Sequence, residues 1–162
     1  MDRLWSPWRY SYLQTGVPPG DCIFCAIAQS DRDGENFVLY RGRHNFALLN
    51  LYPYTSGHLM IAPYEHAATL EAAHAETLEE MMRLTRAAEK NLRIVYRPPG
   101  INLGMNIGEA AGAGVVGHIH MHVLPRWLGD ANFLSVVGET RVLPETLAAT
   151  WEKLRQAFQA AE

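Results

Sequence analysis

The sequence lacks the long apolar runs and the excess of positive charge that mark two large classes of protein. No stretch approaches the roughly 18 consecutive apolar residues that a membrane-spanning helix needs. Lys and Arg together number 14 against 17 Asp and Glu, a formal net charge of −3. Such a chain has no overall basic field to attract nucleic acid or an anionic membrane. We therefore expect neither of these as a partner.

Cysteine is also scarce, since the 162 residues contain only Cys22 and Cys25. The opening MDRLWSPWRY has no continuous apolar core and no small-residue cleavage site, so it does not resemble a secretory signal. These features predict a cytoplasmic protein, and structural disulfides are rare in that compartment. The length is typical of one domain with its own core.

The order of the patterns predicts one α+β domain over residues 22–162, preceded by an aromatic N-terminal arm over residues 1–21 that ends in VPPG. Strands joined by short turns, with helices grouped rather than alternating with them, indicate an antiparallel sheet. We expect strands at Phe37 to Tyr40, Phe46 to Leu51, His58 to Ala62, Ile101 to Asn106, His118 to Leu124 and a short NFLSVV stretch.

Two stretches show the period of a helix instead. Between Glu71 and Tyr96 the apolar side recurs every three or four residues, and RPPG ends it. A closing helix carries Leu147, Trp151, Leu154 and Phe158 at the same kind of spacing. The predicted fold is thus an antiparallel sheet of about five strands with one long helix and one C-terminal helix.

The segment GHIHMHVLPRW, residues 117–127, sets three histidines at every second position. Alternate residues of a strand share a face, so His118, His120 and His122 would line one face and the intervening Ile, Met and Val the other. A single buried histidine is commonly neutral and bonded to backbone, but three in a row need too many polar partners for that. Two chemistries remain: a three-histidine zinc site that activates water, and a histidine nucleophile that attacks phosphorus.

The loop GEAAGAG, which ends four residues before His118, favours the phosphate chemistry. Small residues let backbone N–H groups approach an anion closely. Apart from Glu109 in the loop, no acidic residue lies within a strand's length of the histidines. The carboxylate cluster of a metal-dependent phosphatase is therefore not evident, and an imidazole nucleophile is favoured.

The row of His118, His120 and His122 resembles the His-x-His-x-His motif of the histidine triad (HIT) family of nucleotide hydrolases and transferases. FALLNLYPYTSGHLMIAP, residues 46–63, is similar to the family's upstream strand, turn and strand, with Asn50 and Gly57-His58 in the expected places. NIGEAAGAG resembles its phosphate loop. With LWSPWRYSYL, CIFC and PRWLGDANF, the resemblance covers nearly the whole chain and is greatest to the bacterial diadenosine tetraphosphate phosphorylase branch.

The resemblance implies a covalent mechanism at the central histidine. His120 would attack the α-phosphorus of a dinucleoside polyphosphate, with diadenosine tetraphosphate as the expected substrate, and would carry the nucleotidyl group. His122 and His58 would flank that phosphate or support the ring of the nucleophile. The other implied contacts are Asn50 to the ribose, Asn106 and the backbone of Gly112, Ala113 and Gly114 to phosphate, and Leu49 and Phe46 to the base.

Cys22-Ile-Phe-Cys25 has the spacing of a zinc site or of a redox pair. A redox pair usually opens a helix in a βαβ unit, and none is apparent here. The resemblance implies that His66, in PYEH, and His118 complete a Cys₂His₂ zinc site with a structural role. Such a site would fix the ring of His118 beside the nucleophile. Two reduced cysteines without a metal are the alternative, and no organic cofactor is implied.

The acceptor of the nucleotidyl group stays open between inorganic phosphate, which makes a phosphorylase, and water, which makes a hydrolase. A protein that binds nucleotides without turnover, and a phosphoramidase or nucleotidyltransferase with another acceptor, are the competing functions. The family commonly forms homodimers, and the edge of a small antiparallel sheet gives a physical route to one.

Overall fold

The computed structural model describes residues 22–131, 135 and 143–160. Its elements in chain order are helix α1 (Ile23–Gln29), strands β1 (Val38–Arg41), β2 (Asn45–Leu49) and β3 (Leu59–Pro63), helix α2 (Ala75–Tyr96), strand β4 (Gly100–Gly104), a 3₁₀ turn (Glu109–Ala111), strand β5 (Met121–Arg126) and helix α3 (Leu147–Gln159). The strands form one sheet in the order β1-β2-β3-β5-β4, and every neighbouring pair is antiparallel. The predicted α+β class, with a long helix and a C-terminal helix, is confirmed.

The predicted arm over residues 1–21 lies outside the described residues, and so does the NFLSVV stretch apart from Ser135. Within the described part of the chain, no helix combines the length and the apolar character that crossing a membrane requires. The cytoplasmic location stays a prediction.

The central strands are buried on both faces, because helices cover the sheet from two sides. In β3, Leu59 and Ile61 belong to the core shared with α2 and α3. The alternate residues Met60 and Ala62 belong to a second core that includes Phe24 of α1. All five residues of β2 and of β3 are consequently buried. This alternation decides which side chains can face a ligand on the α1 side.

The starts of helix α2 and strand β5 differ from the predicted ones. Helix α2 begins at Ala75 rather than Glu71, because the backbone N–H of His74 donates to the Glu65 carboxylate instead of entering the helix. Strand β5 begins at Met121 rather than His118. The N–H of Ile119 bonds to the carbonyl of Ala67, 2.7 Å away, so this stretch does not join the ladder.

Helix α1 was not predicted, and the other strand limits shift by one or two residues. The expected alternation around the histidines nevertheless holds. Ile119 and Val123 are buried in the core under α2, whereas the rings of His118 and His120 contact Phe24 of α1.

Gly57 fixes the entry to β3 and thereby the position of His58. Its φ is +81°, which side chains with a Cβ rarely adopt. A Cβ there would also lie 3.0–3.3 Å from Tyr96, Leu92 and Pro125. The turn can therefore approach the end of α2 only with glycine at this place, which explains the Gly-His pair of the sequence.

Candidate active site and metal cluster

The three histidines of the row and His58 come together at the junction of β3 and β5. The ring centroids of His120 and His122 are 4.8 Å apart and nearly perpendicular, and those of His58 and His122 are 5.1 Å apart. Phe24 of α1 packs 4.8 Å from the ring of His120. The predicted catalytic histidines thus form one group of side chains.

The hydrogen bond of His120 determines which ring nitrogen is a base. Its Nδ1 lies 2.9 Å from the backbone oxygen of His118. A carbonyl oxygen can only accept, so Nδ1 carries the proton and donates it. Burial lowers the pKa of His120, although the bond to the His118 carbonyl opposes this effect. The ring is therefore neutral near pH 7, and its Nε2 has a lone pair.

A chain of hydrogen bonds assigns the protons of the other two rings. The N–H of Tyr54 donates to Nδ1 of His58 over 3.1 Å, so the proton of neutral His58 resides on Nε2. That Nε2 lies 3.0 Å from Nδ1 of His122, to which it donates. The proton of His122 is then on Nε2. The amide nitrogen of Asn50 lies 3.4 Å from the same Nδ1 of His58.

The pKa of His122 is lowered to about 4, chiefly by burial and in addition by the neighbouring His120. At neutral pH this ring is uncharged and presents an N–H donor beside the lone pair of His120. The arrangement suits a reaction in which an oxygen of the substrate needs a hydrogen bond while a nearby atom is attacked.

A cavity of about 510 Å³ opens beside His120 and His122. The other predicted site residues along its wall are Asn50, Asn106, Gly112, Gly114 and Leu49. Gly112 ends the 3₁₀ turn with a φ of +84°. Ala113 is buried and lies outside the wall, as do His58 and His118. The volume is in the range of small-molecule sites.

Phe46, which was predicted to contact a base, does not lie at the cavity. Phe46 is fully buried, stacks on Tyr64 at 5.4 Å and does not line the cavity. Leu48, two residues further along the same face of β2, lines it instead. Leu49 is at the wall, but its side chain belongs to the core under α2 because strand neighbours face opposite ways.

The wall of the cavity that α1 forms was not predicted from the sequence. Ile23, Phe24 and Ile27 of α1 form an apolar side of the cavity. Their spacing in CIFCAIAQ is compatible with one helix face, but two turns are too short to establish a period.

The predicted metal ligands also come together, at the beginning of α1. The ligand atoms of Cys22, Cys25, His66 and His118 all lie within 4.8 Å of one another. Sulfur–nitrogen distances are 3.2 Å from Cys22 to Nδ1 of His118 and 3.3 Å from Cys25 to Nδ1 of His66. The edges of a tetrahedral zinc site with such ligands are roughly 3.3–3.8 Å long.

The orientation of His118 also fits a metal. Its Nε2 lies 2.9 Å from the backbone oxygen of Pro63, so Nε2 carries the proton. The lone pair of Nδ1 therefore faces the two sulfur atoms. Two thiols and two imidazoles in this geometry form a donor set of the kind that zinc prefers.

Known proteins match this chain both in sequence and in fold. The HIT domain matches residues 32–127. An AP-4-A phosphorylase of Mycobacterium tuberculosis is 39% identical over 158 residues, covering 93% of this chain and 80% of the relative. The crystal structure of a Zn-bound histidine triad family protein from Mycobacterium smegmatis is 29% identical with a TM-score of 0.71, covering 88% of this chain and 98% of that one. For a hypothetical histidine triad nucleotide-binding protein from Sulfolobus tokodaii the identity is 26% and the TM-score 0.69, over 86% and 93% of the two chains.

We predict that His122 of the folded protein does not titrate near neutral pH. Its folded pKa is about 4, against roughly 6.5 in an unfolded chain. The unfolded chain then binds this proton more readily, so the contribution of His122 to stability is complete above about pH 6.5 and is lost as the pH falls towards 4. Histidine ring resonances followed by NMR between pH 4 and 8 would give the midpoint.

The His122→Asn variant identifies the resonance and serves as the control. Its free energy of unfolding, measured by denaturant titration, should fall less between pH 6.5 and 4 than that of the unaltered protein. A His122 midpoint near 6.5 in the folded state would contradict the assignment of a buried, neutral ring.

Proposed function

The chain belongs to the HIT family, and we propose that it cleaves dinucleoside polyphosphates at the α-phosphate through a nucleotidyl group carried by His120. Diadenosine tetraphosphate is the proposed substrate, and inorganic phosphate or water the acceptor. The observation that carries the proposal is the hydrogen bond from His120 Nδ1 to the His118 carbonyl, which leaves Nε2 as a nucleophile on the cavity wall. The identity to an AP-4-A phosphorylase supports the choice of substrate.

In the first step Nε2 of His120 attacks the α-phosphorus in line, and the bond from that phosphorus to the bridging oxygen breaks. With diadenosine tetraphosphate the leaving group is ATP and AMP becomes attached to the ring. A polyphosphate is a weak base, so it leaves without full protonation. A hydrogen bond from Nε2–H of His122 and backbone donors around Gly112 and Gly114 would stabilise the charge that develops on oxygen.

In the second step the acceptor attacks the same phosphorus and the phosphorus–nitrogen bond breaks, which returns the lone pair to Nε2. Inorganic phosphate as acceptor yields ADP, and water yields AMP. Asn50 lies at the wall where the ribose of the bound nucleotide would fit. Its Oδ1 accepts the N–H of Tyr52 at 2.9 Å, which holds the amide in place beside His58.

We also propose that zinc is bound by Cys22, Cys25, His66 and His118 and that its role is structural. Four protein ligands complete a tetrahedral shell, so the metal would supply rigidity to these side chains. The alternative of a three-histidine zinc site is disfavoured by geometry. Nδ1 of His118 faces the cysteines, whereas Nδ1 of His120 and of His122 are engaged in hydrogen bonds to other groups.

Product analysis with diadenosine tetraphosphate, with and without inorganic phosphate, tests the reaction and identifies the acceptor. ADP plus ATP that appear only with phosphate would establish a phosphorylase, and AMP plus ATP without it a hydrolase. His120→Asn removes the nucleophile, so turnover should fall by on the order of 10⁴-fold. Mass spectrometry of the unaltered protein mixed with substrate should detect one added adenylyl group.

His74→Asn is the matched control, because His74 is exposed and its ring pairs with Glu65 away from the cavity. It should retain full turnover and should acquire the adenylyl group. Equal activity of the His120→Asn and His74→Asn proteins would exclude the covalent mechanism, and no cleavage by the unaltered protein would point to binding without turnover.

Removing the metal should destabilise the protein more than it changes the chemical step. We expect about one zinc per chain by elemental analysis, and a lower Tm with little zinc in Cys25→Ser. A chelator should inactivate slowly, in parallel with the loss of Tm, because no reacting atom would touch the metal. Immediate and complete inhibition at unchanged Tm would instead favour a catalytic metal.

A homodimer that pairs the outer edges of β4 is a further proposal. This strand ends the sheet among the described residues, and Asn102, Leu103 and Gly104 are exposed. Unpaired N–H and C=O groups at such an edge invite a second strand. Sedimentation velocity should give the mass of two chains, and Leu103→Lys should shift it towards one. A single-chain mass at all concentrations would rule the dimer out.

A further inference from the structure

The cavity has a polar end remote from the histidines, and we propose that Ser30 and Asn36 at this end select adenine over bases with a carbonyl at position 6. The inference rests on the proposed function and names the base that its site accepts. Beside His120 the wall is apolar, with Phe24 and Ile27, and it becomes polar where α1 ends.

The distance along α1 matches the length of a nucleotide. Phe24 contacts the ring of His120, and Ser30 is the C-cap residue of the helix, six positions later. At 1.5 Å per residue these positions are roughly 9 Å apart along the helix axis. With its α-phosphate at Nε2 of His120, a purine nucleotide would extend along Ile27 and place the far edge of its base beside Ser30 and Asn36.

The hydroxyl of Ser30 is arranged as a donor. Its oxygen accepts the backbone N–H of Arg32 at 3.2 Å and the side-chain amide of Asn36 at 3.1 Å. A hydroxyl has two acceptor lone pairs and one proton, so both lone pairs are used and the proton has to be donated elsewhere. The carbonyl of Ser30 accepts from Arg41, 2.6 Å away, which holds this residue in place.

Asn36 complements this donor with an acceptor. Its Nδ2 is directed at Ser30, so its Oδ1 is the group left to face a ligand. No hydrogen bond to this oxygen comes from the part of the chain that the structure describes. The backbone N–H of Asn36 donates to the carbonyl of Arg32 at 3.0 Å, which fixes the residue from its other side. One donor and one acceptor thus lie next to each other.

Adenine has the complementary pair of groups. Its 6-amino group is a donor and the adjacent ring nitrogen is an acceptor, which match Asn36 Oδ1 and the Ser30 hydroxyl. Hypoxanthine reverses both groups at this edge, since its 6-carbonyl would face the acceptor Oδ1 of Asn36 and its N1–H would face the hydroxyl proton of Ser30. Arg32 and Glu35 do not compete for this role. Their charged groups pair with each other at 3.0 Å, and the two side chains are 68% and 70% exposed.

Binding of AMP and IMP, measured by calorimetry, tests the inference apart from catalysis. We expect the unaltered protein to prefer AMP by on the order of tenfold. Asn36→Ala should lose that preference mainly through weaker AMP binding. Ser30→Ala removes the donor and leaves Oδ1 of Asn36, so it should weaken AMP binding as well, and this second variant covers the case of a poorly folded Asn36→Ala protein. Asp31→Asn, an exposed change in the same loop, is the matched control and should behave like the unaltered protein.

The same four proteins are then assayed for cleavage of diadenosine and diinosine tetraphosphates. Equal binding of AMP and IMP by the unaltered protein overturns the inference, and so does an undiminished preference in Asn36→Ala. Selective AMP binding without any cleavage overturns the proposed reaction and leaves the base selection intact. If neither nucleotide binds, both proposals fail.

Discussion

His118 joins the candidate metal site to His120, the proposed nucleophile, through three groups of a single residue. Its Nδ1 faces the sulfur of Cys22, its Nε2–H is held by the carbonyl of Pro63, and its own carbonyl accepts the proton of His120 Nδ1. The last bond decides which nitrogen of His120 keeps its lone pair. A rotation of the backbone at His118 would therefore alter the chemistry of a neighbouring side chain without touching the substrate.

Burial lets several imidazoles share this small space. Their pKa values are lowered because the charged forms lose solvation, so the rings do not repel one another as cations. In the proposed reaction a bound polyphosphate would oppose this effect of burial, since its negative charge would favour the protonated form of His122. The neutral ring already offers its Nε2–H, and protonation would make that hydrogen bond a charge-assisted one.

The period of apolar residues and the spacing of the motifs predicted much of this arrangement. The predictions that failed did so for physical reasons. The alternation around His120 and the stripe of α2 depend on burial, which sequence patterns report well. The start of β5 could not be foreseen because it depends on a bond from Ile119 to Ala67, a contact between distant segments. Phe46 and Leu48 share a face of β2, and the packing of Phe46 on Tyr64, which no spacing predicts, leaves only Leu48 at the cavity. The proximity of His66 to the two cysteines was expected only from the family resemblance, since spacing alone left His66 unassigned.

The shortness of α1 has a thermodynamic consequence. A helix of seven residues is not stable by itself in water, so its persistence depends on what it touches. It follows Cys22 at its beginning, carries Phe24 against His120, and ends where Arg41 bonds to the carbonyls of Ile27 and Ser30. A nucleotide in the cavity and a metal on the cysteines would both require the same local folded state. Each would then raise the affinity for the other, and the backbone amides of α1 would show this cooperativity as slower hydrogen exchange.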